Sequence, residues 1–206
     1  MTTSTLKIDL IVPLSLCVFG VNGIVKYTLP RIIQTIIQRK NISGEMMVVL
    51  KNYIFIINQM SMLILLSILI NLMMPVMIYV YVDISGFFIE FVLMYVFTNL
   101  ILNYIIYQRL NIRRLENKNS YKKLFTLGYD LKSIKKYSKK EIFLFYLTLF
   151  MCISIYLLTL SISLILKEVL PLKVLFICLA YIIPMTVMYL ITDYKEGRSV
   201  LSWKKS

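Results

Sequence analysis

Among its 206 residues the chain has no histidine, three cysteines, six glycines and one tryptophan, and ten acidic side chains face 23 lysines and arginines. Each shortage removes a class of chemistry. Without an imidazole there is no base for a Cys–His nucleophile, which argues against a membrane peptidase of that type. Cys17, Cys152 and Cys178 each lie inside an apolar run, where a thiol behaves as a small hydrophobe. The clustered Cys or His ligands of a zinc site are missing. Gly20, Gly23, Gly44, Gly86, Gly128 and Gly197 are scattered, and none precedes Lys-Ser/Thr, so there is no phosphate loop. The expectation is a chain that is not itself an enzyme and holds no cofactor or metal, with any ATP hydrolysis residing in a partner.

What is abundant is hydrophobe: 59% of residues, with a mean hydropathy of +0.79. Soluble domains run at about 45–50% apolar, so the composition predicts an all-α, polytopic transmembrane bundle. The net charge of +13 would otherwise raise nucleic acid as a partner. Here the basic residues gather at the ends of apolar segments, as topology signals do, and no nucleic acid is expected. Usage rich in Ile, Lys and Asn points to a bacterium of low GC content and hence to its cytoplasmic membrane.

About 20 apolar residues cross a bilayer as a helix, and five stretches qualify: Ile8–Tyr27, Tyr53–Val82, Phe87–Tyr107, Ile142–Leu166 and Val174–Thr192. The N-terminal MTTSTLKIDL lacks a charged leader and a clear cleavage site, so the first stretch reads as a retained span. Pro75 and Pro184 fall inside helical runs, which membrane helices tolerate with a kink. Lys and Arg concentrate in Pro30–Asn52, Arg109–Glu141 and the C-terminal tail, whereas the connectors Asp83–Gly86 and Lys167–Lys173 are short and carry little positive charge. The positive-inside rule then places the N-terminus outside and the C-terminus inside. Asp9 and Glu90 lie near the outer face, shallow enough to reach headgroups. Asn22, Asn58, Gln59, Asn71, Asn99 and Asn103 are expected to hydrogen-bond between helices. Tyrosines and Trp203 near span ends suit interfacial belts.

Two segments carry finer patterning. Ile32, Ile33, Ile36 and Ile37 recur at helical spacing among Arg31, Gln34, Gln38 and Arg39, which predicts an amphipathic helix on the bilayer surface, the alternative being a solvated loop. NISG (Asn41–Gly44) then reads as a turn. The second segment, Arg109–Glu141, holds eleven basic residues against Glu116, Asp130 and Glu141, a net of +8. Ser120 is read as an N-cap. Tyr121, Leu124, Phe125 and Gly128 follow at i, i+3, i+4 and i+7, with Gly128 as a helix stop. Asp130 caps a second helix that has Leu131 and Ile134 on one face and runs through Lys139–Glu141 into the fourth span. An interfacial helix that merely anchors the loop to anionic lipid is the plainer alternative.

Tyr121, Leu124, Leu127, Gly128, Tyr129 and Ile134 spell Y-x-x-L-x-x-L-G-[YV]-x-x-x-x-I, which resembles the cytoplasmic loop of the FtsX-like permease domain of bacterial ABC transporters. That family includes MacB-like efflux permeases, lipoprotein-releasing permeases and BceB-like permeases that confer resistance to antimicrobial peptides. RRLENKNS before the loop and DYKEGR (Asp193–Arg198) after the last span are similar to the family's flanking segments. The likeness covers Phe87–Arg198. Residues 1–52, read above as a first span and cytoplasmic amphipathic segment, include a span, Ile8–Tyr27, that has no obvious counterpart in the family. Residues 53–198 would form a four-span permease domain with its loop at 108–141, and residues 199–206 a basic tail. The likeness also implies that Tyr121–Ile134, with Phe125 and Asp130 inside it, docks a separate ABC ATPase subunit that drives movement of an amphipathic substrate such as an antimicrobial peptide or lipid. Most members carry a large outer domain where this chain has Asp83–Gly86; BceB-like halves, with short outer loops, fit best. Such permeases contain two halves, so a half-size chain implies a second permease subunit or a dimer with itself. Other readings of the same topology are a non-transporting immunity protein, a scaffold for a sensor kinase, or an uncoupled permease remnant.

Overall fold

The computed structural model describes residues 19–20, 23–39, 44–81, 88–126, 128–166 and 179–202. In several helical stretches, among them 74–81, 117–124 and 196–202, the backbone alone is described. Among these residues only Gly128, Tyr129 and Asp130 are not helical. A π-helical turn at Ile24–Thr28 leads directly into α1 (Leu29–Arg39). Then come α2 (Gly44–Tyr81), α3 (Phe88–Thr126) and α4 (Leu131–Leu166). A short 3-10 turn, Leu179–Tyr181, opens α5 (Ile182–Ser202). Most of the first predicted span, the NISG turn, the two acidic or neutral connectors, Leu127 and the start of the fifth predicted span lie outside the described residues.

Three helices are long and apolar enough to cross a membrane, at Met46–Met73, Ile89–Arg113 and Lys132–Thr159. The helices exceed the apolar stretches that announce them. α2, α3 and α4 have 38, 39 and 36 residues, which at 1.5 Å per residue is roughly 54–58 Å, nearly twice the ~30 Å hydrocarbon thickness. The apolar run measures how much of a helix suits lipid, not where the helix ends.

α2 packs most extensively on α4, and also on α3; α5 packs on α4 and α3. The ring order is therefore α2–α3–α5–α4, with α3 and α4, neighbours in sequence, facing across the bundle. Inward residues recur every three or four positions, the helical repeat: Tyr53, Ile57, Met60, Ile64 and Ile68 on α2, Tyr95, Leu102, Ile106 and Leu110 on α3, Phe145, Leu149, Ile153 and Leu157 on α4. Tyr181 and Met185 close the same core from the α5 side. The outside is equally apolar: Met62, Met94, Phe97, Ile101, Ile155 and Ile183 are all exposed. A surface of that kind would associate in water and is suited to lipid.

α1 is helical as its periodicity predicts, with Ile33 buried and Ile37 half-buried, while Ile32 and Ile36 are exposed. Helix α2 passes through Pro75 without interruption. Pro184 is the third residue of α5, in the first turn where an amide hydrogen has no intrahelical acceptor, so it needs no kink. Asn58 and Gln59 are exposed, not buried between helices, because they fall off the inward stripe that runs through Ile56, Ile57 and Met60. Cys152 is half-buried and carries a free thiol.

Candidate functional site

The strongly charged ends of the long helices lie together at one end of the bundle, and named contacts hold them there. Asn52, near the start of α2, donates its amide to Glu141 Oε1 of α4 at 2.8 Å. Arg113 of α3 donates to the backbone carbonyl of Asn52 at 2.8 Å. Its guanidinium also lies over the Phe55 ring, 5.1 Å from the centroid. Arg113 and Glu141 are 4% and 3% exposed. Each continues the inward stripe of its helix: Ile106, Leu110, Arg113 on α3, and Ile134, Tyr137, Ser138, Glu141 on α4. Read from composition, both residues count only as loop charge. Their register with the buried stripe is the signal in the sequence that marks them as interior.

Two further contacts bind α5. Lys139 of α4 pairs with Asp193 at 2.5 Å, and Lys195 donates to the hydroxyl of Tyr107 on α3 while lying over its ring. A second polar cluster joins α2 to α3 deeper in the apolar region. The Asn71 amide donates to Asn99 Oδ1 at 3.1 Å, and the Tyr95 hydroxyl donates to Asn71 Oδ1 at 2.5 Å. Asn71, Asn99 and Asn103 are buried, as expected of interhelical amides, although Asn103 donates to Asn99 of its own helix. Tyr53 and Thr148 share a hydrogen bond between α2 and α4.

Beyond these locks, α3 and α4 meet in a turn. The backbone is helical from Phe88 through Thr126, so Ser120 lies within α3 and does not cap a new helix. Residues 109–126 are rich in Arg, Lys, Leu and Asn and contain no Gly or Pro, so the chain has no reason to break before Gly128. Gly128 has φ 91° and donates its amide to the Phe125 carbonyl at 3.0 Å. The left-handed backbone ends the helix as its glycine predicts. The Ile134 amide donates to the Asp130 carbonyl at 3.0 Å, so α4 starts where Asp130 is expected to cap it.

The predicted coupling residues do not all face one way. Phe125 is 54% exposed; Gly128 and Asp130 are exposed and Tyr129 half-buried. Ile134 is fully buried and holds the turn to the bundle. The side chains of Tyr121 and Leu124, and all of Leu127, lie outside the described residues. Among the described residues no group of three or more Cys, Asp or Glu is placed to hold a metal. The chain matches no protein-family model, and neither a curated protein nor a solved structure is significantly similar to it.

Proposed function

We propose that this chain is a five-span permease subunit of a bacterial ABC transporter, of the FtsX-like kind, in the cytoplasmic membrane. In this reading the α3–α4 turn docks a separate ATPase subunit on the cytoplasmic side. The observation that carries the reading is that both arms of the turn are uninterrupted continuations of helices suited to span the membrane. A force applied at Phe125–Asp130 therefore passes into α3 and α4 without a flexible joint. The positive-inside rule supports the orientation, since the basic ends gather at one end of the bundle. The substrate class is an amphipathic molecule such as an antimicrobial peptide or lipid, handled with a second permease subunit or a second copy of the chain.

A second reading is a non-transporting membrane protein, an immunity protein or a sensor-kinase scaffold. The specific observation favouring it is the set of polar locks among Asn52, Arg113, Glu141, Lys139 and Asp193, which bind helices that a transport cycle would separate. Affinity purification of the full chain from detergent-solubilised membranes tests both. The permease reading expects an ABC ATPase to co-purify, and Phe125→Asp, an exposed change outside the core, to abolish its recovery. A chain that purifies alone and keeps its cellular effect with Phe125→Asp refutes the permease reading in favour of the second.

A further inference from the structure

The facing sides of α4 and α5 form a groove with two different ends. On α4, Lys132, Lys135, Lys136, Lys139 and Lys140 recur at three- and four-residue steps, so they lie along one side of the helix. The same side continues as Phe143, Tyr146, Leu147 and Phe150. Opposite it, α5 presents Ile182, Met185, Thr186, Tyr189 and then Asp193, again at helical steps. The basic end is an open hollow of about 440 Å³. The apolar end encloses about 150 Å³. Phe143 and Tyr189 line both, so the two are continuous.

The charges do not balance. Asp193 is taken by Lys139 at 2.5 Å, and among the described residues Lys132, Lys135, Lys136 and Lys140 have no carboxylate partner. Lys132, Lys136 and Lys140 are exposed. From Lys139 to Phe150 the groove spans about 16 Å along α4, and Lys139 is where the helix leaves its apolar stretch. Unpaired cations at the mouth of an apolar cleft match a molecule with an anionic head and a hydrocarbon tail. We propose that this groove holds an anionic phospholipid of the surrounding bilayer, its phosphate among Lys132, Lys136 and Lys140 and one acyl chain along Phe143, Leu147 and Thr186. The site adjoins the proposed ATPase-docking segment, sharing Lys132 with it, but its occupant is a resident lipid and not transported cargo. Snorkelling lysines of this kind suit the headgroup level.

The test uses the purified full chain in detergent with no ATPase present, so that its outcome and that of the permease reading stay separate. Phosphatidylglycerol and phosphatidylcholine are titrated in turn, with lipid adducts counted by native mass spectrometry and the melting midpoint followed. Phosphatidylglycerol is expected to bind more tightly and to raise the midpoint more. Replacing three lysines (Lys132→Gln, Lys136→Gln, Lys140→Gln) should weaken its binding roughly a hundredfold and leave phosphatidylcholine binding unchanged. The corresponding triple Arg variant should retain it. Thr186→Trp, which fills the apolar end, should weaken both lipids. Equal binding of the two lipids overturns the proposal, as does unchanged binding in the triple Gln variant. If inorganic phosphate or a soluble oligoglutamate reproduces the shift, the site takes a free anion or an acidic protein segment, and the lipid is refuted.

Discussion

Gly128 holds φ 91° with nothing within 4 Å of where a Cβ would stand, so alanine there is opposed by the backbone alone. Left-handed geometry costs a non-glycine residue about 1–2 kcal/mol. Gly128→Ala should lower the thermal midpoint of the detergent-solubilised chain accordingly, and Gly128→Asn by less, since Asn tolerates this region. An unchanged midpoint for the alanine variant would show that the turn is not required for stability. Glu141 presents a different case, because its loss affects a neighbour. Glu141→Leu leaves the Asn52 amide without the acceptor it now uses and should destabilise by about 1–3 kcal/mol. Glu141→Gln, which keeps a carbonyl acceptor, should recover most of that. Comparing the unfolding midpoints of the two variants separates the lost hydrogen bond from simple crowding.

Helix α3 carries the main discrepancy between pattern and structure at the scale of elements. As an N-cap, Ser120 would lose about 1 kcal/mol on replacement by alanine. As an interior helical residue it should instead gain a few tenths, because alanine has the higher helix propensity. Thermal unfolding of Ser120→Ala decides the matter by its sign. The helices themselves are legible from long apolar runs, and so is the stop at Gly128, because few residues other than glycine adopt its backbone freely. So is the start of α4, which follows Asp130 as the cap predicts. The start of α2 and the unbroken course of α3 past Ser120 are not: Lys51 and Asn52 interrupt the apolar run that begins at Met46, Arg114–Thr126 is polar or mixed, and helix continuity there rests on the absence of a breaker, which hydropathy does not register. The locks are legible only in part: Arg113 and Glu141 sit in register with buried stripes, but Lys139 finds Asp193 across 54 residues of sequence, a pairing that no local pattern encodes.

At the scale of the molecule, the ring α2–α3–α5–α4 brings the basic ends of α3, α4 and α5 together at one end. In a chain whose three cysteines are replaced, Lys123→Cys and Arg198→Cys should react with a membrane-impermeant maleimide only after the cytoplasmic face is exposed, and Ser85→Cys from outside. Reaction of the Lys123 position in intact cells would reverse the proposed orientation. The cluster of Asn71, Tyr95 and Asn99 bears on how such a molecule is made. A side-chain amide alone in hydrocarbon has no water to bond, and each of these helices carries at least one. Their partners are on each other, and only residues 82–87 separate the two helices in the chain. The Asn71–Asn99 bond needs only α2 and α3, so it can close without α4 or α5 in the bilayer. The α2–α3 pair is thus a hairpin able to rest in the bilayer with Asn71 and Asn99 bonded to each other, a surface against which the remaining helices can assemble.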